Sequence, residues 1–488
     1  MIFIRTLILA LALVGSASAN NITVSNISLT DLDTVGDTVN VKFDVTWENG
    51  WRVTASPANW DAAWVFVKFH VGDIVWHHAS LDTADANHTA PAGATINTGL
   101  TGIRGIGVFL YRSAPGTGTT TFTNVKLKWR YGLDTVPDDA RVTVDVTGIE
   151  MVYIPQGVFR VGDGESTEGR LGDSTGAPFQ ISSAGPIPCG TQAGALSQWY
   201  GGQNLNPGST YLDVPVTYPN GFTAFYCMKY EPSQGERAAA ANKGGPLVIS
   251  MTAEGQTFNG QAGSLTSTTP ERAYAGTNNN CIPELAYLDW TGLRPMTEME
   301  YEKACRGPQT PVAGEYACGS AFIATLPYTT AGSGTATEAI SSGYRNDAGN
   351  VWVNSTRTVS GSMRAARVGI FAISTYSGPA SPRLQSGAGY YGVYEMTGNV
   401  SDAVIRFNFR TSAGFQFVAA HGDGAIAFTG IHNVSEWGPV GQIGTDTGSN
   451  TYVKGGAYNS NAYSVSSSTP NSSAGAPRVT VRGVRGVP

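Results

Sequence analysis

The chain has 488 residues and a net charge of −6, long enough for roughly two to four domains at ~150 residues each. Charged residues make up only 14%, against ~25% in typical globular proteins, and Gly, Ser, Thr and Asn fill the difference. That composition argues against a cytoplasmic enzyme, and the lack of any Lys/Arg block excludes the electrostatic footprint of nucleic-acid binding.

At the N-terminus Arg5 precedes an apolar run from Thr6 to Val14, which closes on Ala17-Ser18-Ala19. A short charged start, a short apolar core and a small-residue end read as a signal peptide over residues 1–19. The run is too short for a hydrocarbon core of ~30 Å, which takes ~20 residues to cross. No later stretch is long and apolar enough either. A secreted or extracellular-surface protein with no transmembrane segment is expected.

Residues 20–148 read as an all-β sandwich. Apolar and polar residues alternate strictly from Val39 to Trp47, from Val125 to Tyr131 and from Val142 to Val146. Period two puts one face of a strand in a core and the other in water. Ala62 to Val71 and Ile106 to Tyr111 are more continuously apolar, as central strands are. Gly- and Thr-rich clusters such as Ala114 to Thr121 separate them, and no helical period competes.

Residues 149–488 form a second domain, poor in periodicity and rich in Gly, Ser and Pro. Helices are predicted over Gln234 to Asn242, Pro283 to Trp290 and Thr297 to Arg306. The last starts with a capping box, Thr297 with Glu300 three residues on. All five cysteines, Cys189, Cys227, Cys281, Cys305 and Cys318, fall in this domain. Export permits disulfides, the odd count leaves one thiol over, and one or two structural bridges are expected.

Six segments carry a resemblance. Met151 to Phe159 (MVYIPQGVF), Phe225 to Gln234 (FYCMKYEPSQ), Leu293 to Gly307 (LRPMTEMEYEKACRG), Tyr391 to Val400 (YGVYEMTGNV), Lys454 to Tyr458 (KGGAY) and Val481 to Val487 (VRGVRGV) follow in order. Together they resemble the formylglycine-generating enzyme (sulfatase-modifying factor) family. The resemblance implies an α+β C-type-lectin-like domain rich in irregular loops, with Arg294, Glu298 and Glu300 as structural ion-pair residues. It also implies a copper-binding cysteine pair shortly after Tyr458. Here the segment runs Asn459-Ser460-Asn461-Ala462-Tyr463-Ser464, and no cysteine follows Cys318. Serine is no substitute, because Cu(I) is soft and selects thiolate. Neither copper nor iron is expected: the six histidines are His70, His77, His78 and His88 in the sandwich, and His421 and His432 in loops.

Calcium is the cofactor the resemblance leaves open. In the family the turn after the Gly-Asn-Val triplet supplies oxygens to Ca²⁺, here Asn399 and Asp402. Asn346 and Asn350, in an Asn/Asp-rich loop, are the candidates for a second oxygen-rich site, the alternative being an Asx turn that fixes the loop. A ligand surface is expected at Tyr458, Asn459, Asn461 and Tyr463, since Tyr and small polar residues suit adaptable binding faces. His421, in a Gly-rich loop, joins that set.

The function expected is that of a secreted, non-catalytic structural or adhesion protein that self-associates into a filament or surface layer, or pairs with other surface proteins. The alternative is a ligand- or glycan-binding receptor using the C-terminal loops. An enzyme of unrecognised chemistry is the third reading.

Overall fold

The computed structural model describes residues 22–72, 75–164, 170–200, 203–204, 211–244, 258–259, 264–276, 282–353, 364–373, 376–377, 380–407, 417–427, 430–437, 451–460 and 478–487. The expected signal peptide, together with Cys281, Asn461 and Tyr463, lies outside the described residues.

The first strands in chain order are β1 (Thr23–Asp33), β2 (Thr38–Arg52), β3 (Asp61–Val71), β4 (His77–His78), β5 (Ala94–Thr101), β6 (Arg104–Arg112), β7 (Gly116–Trp129) and β8 (Val142–Ile154). β1, β2 and β7 make one antiparallel sheet in that order. Alternation in β2 does what period two requires: Val39, Val41, Phe43, Val45 and Trp47 are all buried. From β7 they meet Val125, Leu127 and Trp129, and from the facing sheet Ala63, Val65, Val67 and Phe69 of β3.

That facing sheet has eight strands. Its order is Arg294–Pro295, Gly483–Gly486, Phe225–Met228, β8, β3, β6, β5, with β4 paired to β3. β3 is apolar on both faces because both are covered. Ala62, Trp64 and Phe66 point away from β2 and pack into a second core with Leu288 and Trp290. β8 pairs with β3 from Asp61↔Val152 to Val71↔Val142, and its last residues also pair with Phe225–Met228. The expected boundary at 148/149 therefore falls inside one strand, and a single curled sheet runs from the N-terminal half into the C-terminal half.

The three predicted helices form as α1 (Gln234–Lys243), α2 (Ile282–Trp290) and α3 (Glu298–Arg306). Both halves of the Thr297/Glu300 capping box are made, and an equivalent box from Ser233 and Glu236 starts α1. α3 is wholly buried although five of its nine residues carry ionisable charges. Partners explain this: Glu300 is gripped by Arg294 at 2.6 and 2.9 Å, Glu302 by Arg306 at 3.2 Å and Lys454 at 3.1 Å. Lys303 donates to the Gly221 carbonyl at 2.6 Å. Glu298, expected to share Arg294, instead accepts from the Phe407 N–H at 3.2 Å.

Candidate functional site

Around the 398–402 turn the structure gathers a cluster that sequence reading missed. Asn399 sits at φ +60°. Its Nδ2 donates to Glu231 Oε2 at 2.6 Å, and the Val400 N–H donates to Glu231 Oε1 at 2.9 Å. Nearby, Glu395 Oε1 accepts from the Gly369 N–H at 2.6 Å, and Asp402 lies 3.3 Å from Arg482 Nε. Burial pushes Glu395 up to about 7 and Asp402 up to about 6, with Arg482 pulling the other way in both. Glu231 rises well above the usual carboxylate range, through burial and then through Glu395. These carboxyls are buried and hold loops together. The signal available in the sequence was a glutamate inside two of the six motif segments, Glu231 and Glu395.

The calcium candidates are placed differently from expectation. Their two loops do meet, since the Asn399 N–H donates to the Trp352 carbonyl at 2.8 Å. The amide oxygens, however, face N–H and O–H donors. Asn399 Oδ1 accepts from the Ala366 N–H at 2.8 Å, and Asn350 Oδ1 accepts from the Arg345 N–H at 2.9 Å and Tyr328 Oη at 3.1 Å. Both side chains staple loops. Asp402 belongs to the Arg482 cluster, and Asn346 is exposed. Among the described residues no three His, Cys, Asp or Glu side chains are grouped to hold a metal ion.

The expected ligand surface needs a similar correction. Tyr458 is 1% exposed and packs with Trp352, Phe371 and Val400. Its hydroxyl accepts from Arg478 Nε at 3.1 Å. An aromatic ring in a polar stretch was taken into the core because an arginine met its hydroxyl. His421 is half-buried, and its Nε2 accepts from the Gly486 N–H at 2.9 Å, clamping its loop to the closing strand. Asn459 is exposed as expected.

Disulfides were expected, but Cys189, Cys227, Cys305 and Cys318 are all buried thiols. Burial pushes Cys189 up to about 12 and Cys318 up to about 11, and moves Cys227 further still. Thiolate is the nucleophile and the soft-metal ligand, so these three sites are poor at both.

Space for a ligand occurs elsewhere. A cleft of about 1090 Å³ opens between the sandwich and the second half of the chain. One wall is Trp76, His77 and the Arg104 end of β6, and the other is the end of α1, Trp290 of α2 and the Asp423–Ala427 loop. Lys68, buried on β3, donates to the Trp290 carbonyl at 2.8 Å and the Gly424 carbonyl at 2.5 Å, tying strand to loop. Gly424 has φ +85°, and a Cβ there would come within 2.0 Å of His78 Nδ1. Only glycine lets the loop close on β4.

Fold and sites together define a β-rich protein with a curled central sheet. Among the described residues no helix is long and apolar enough to cross a membrane. No protein-family model matches the sequence, and no curated protein matches it. Among solved structures, Treponema denticola variable protein 1 is similar at 12% identity and a TM-score of 0.34, over 70% of this chain and 96% of that one. At that TM-score the likeness supports no inference.

Proposed function

We propose that this chain is a non-catalytic binding protein exported from the cell, with a C-type-lectin-like second half fused through its sheet to a β-sandwich. The observation that carries the binding reading is the cleft, a concave space lined by aliphatic, aromatic and polar side chains. The lectin-like reading draws on the motif segments: four of the six contribute strands that lie side by side, β8, Phe225–Met228, Gly483–Gly486 and Arg294–Pro295. Raised, buried thiols speak against thiol catalysis at Cys189, Cys227 and Cys318.

Self-assembly through sheet edges draws less support. β1 breaks its register twice, with Asn26 and Asp31 at positive φ, and bulges of this kind blunt an edge. At β5 the outward Thr98 N–H is already taken by Asp85 Oδ1 at 2.7 Å. Sedimentation velocity and electron microscopy of the exported chain test the choice. A single monodisperse species is expected; fibres or sheets would return the protein to a structural role.

A further inference from the structure

We infer that the cleft takes a neutral oligosaccharide, which rests on the binding reading above and names its ligand class. Size is the first argument. At about 1090 Å³ the cleft reaches past the ~300–1,000 Å³ of ordinary small-molecule sites, so it has room for more than one sugar ring.

The second argument is the walls. Trp76 and His77 bring ring systems from one wall, and Trp290, only 4% exposed, closes the other from the core. An aromatic face is electron-rich and attracts the weakly positive C–H groups on the flat side of a sugar ring, as it attracts the edge of another aromatic. Trp76 is half-buried and held: His70 meets it edge-on at 4.7 Å, and Lys243 Nζ lies 5.7 Å over its ring. A platform fixed before binding loses little freedom when the ligand arrives.

Charge is the third. The lining carries two cations, Arg104 and Lys243, and two anions, Asp134 and Asp423. Each cation already has a carboxylate, Asp134 at 3.1 Å for Arg104 and Asp145 at 2.5 Å for Lys243. Among the described residues no positive excess remains to select phosphate, sulfate or an acidic peptide. Asp423 is exposed, with Oδ1 accepting from the Ala425 N–H at 2.9 Å. A carboxylate pinned through one oxygen suits a ligand that brings hydroxyl donors.

Calorimetric titration of the full chain with chitotetraose, cellotetraose, maltotetraose and a heparin tetrasaccharide tests this. At least one neutral tetrasaccharide should bind. Trp76→Ala should weaken it roughly tenfold or more. Asp423→Asn and the exposed His77→Ala should each weaken it with the melting temperature unchanged, so the test survives if Trp76→Ala folds poorly. The inference is overturned if no neutral sugar binds, if only the heparin fragment binds, or if all three variants bind as the parent does. A monodisperse exported chain in sedimentation would then still leave the broader binding reading in place, and fibres would remove it separately.

Discussion

Lys229 Nζ lies 3.0 Å from Asp61 Oδ2, with both side chains fully buried. The same ammonium reaches Glu150 Oε2 at 2.8 Å and the Asn49 carbonyl at 3.0 Å. Asp61 in turn accepts from Trp47 Nε1 at 2.9 Å and the Trp51 N–H at 2.8 Å. Burial pushes Glu150 up to about 8 against the pull of Lys229. One cation from the C-terminal half thus satisfies groups on β2, β3 and β8.

Lys229→Met should therefore destabilise the whole chain. Removing one partner of a buried pair leaves an uncompensated charge and typically costs about 3–5 kcal/mol. Urea unfolding followed by tryptophan fluorescence measures it. Because the sheet is continuous, both halves should unfold in one transition; two separate transitions would mean that the ion pair does not couple them.

The Glu231/Glu395/Asp402 cluster predicts a pH dependence. A carboxyl raised in the fold keeps its proton at pH values where the unfolded chain has released it. For Glu395 the folded state binds more protons between pH 4.5 and about 7, so its contribution falls as pH rises through that window. Glu395→Gln, which cannot ionise, should flatten the decline by an amount on the order of 2 kcal/mol. Chemical denaturation at pH 4.5, 6 and 7.5 reads the difference, and parallel profiles for parent and variant would refute it.

Thiol chemistry offers a simple check. Cys189, Cys227 and Cys318 should stay unmodified by a maleimide in the native chain at pH 7 and label fully in urea, as located by peptide mass spectrometry. Native labelling at any of the three would contradict the burial that raises them.

Calcium is tested by removal. With Asn350 and Asn399 committed to loop stapling, chelation should leave the melting temperature where it was. Asn399→Ala should lower it in calcium and in chelator alike, because Glu231 loses one of its two donors and the Ala366 N–H its acceptor, at a cost of about 1–3 kcal/mol. A calcium-dependent rise in melting temperature would restore the ligand role.

The sequence by itself determined the local elements. Alternation placed β2, β7 and β8 on a core, the continuous apolar run of β3 marked a strand covered on both faces, and Thr297 with Glu300 located α3. Each depends on side chains a few residues apart, whose spacing is set by the geometry of one strand or one helical turn.

Only the tertiary structure decided which polar residues face water. Tyr458 reads as surface from its Asn/Ser neighbours, yet the core offered a pocket for its ring and Arg478 a donor for its hydroxyl. Asn399 and Asp402 read as ligands, yet Glu231 and Arg482 engage them. Lys229 finds Asp61 168 residues away. The cleft draws its walls from positions as far apart as Phe69 and Ala427. A buried polar group needs a partner supplied by chain closure, and the sequence has no local spacing that records where that partner is.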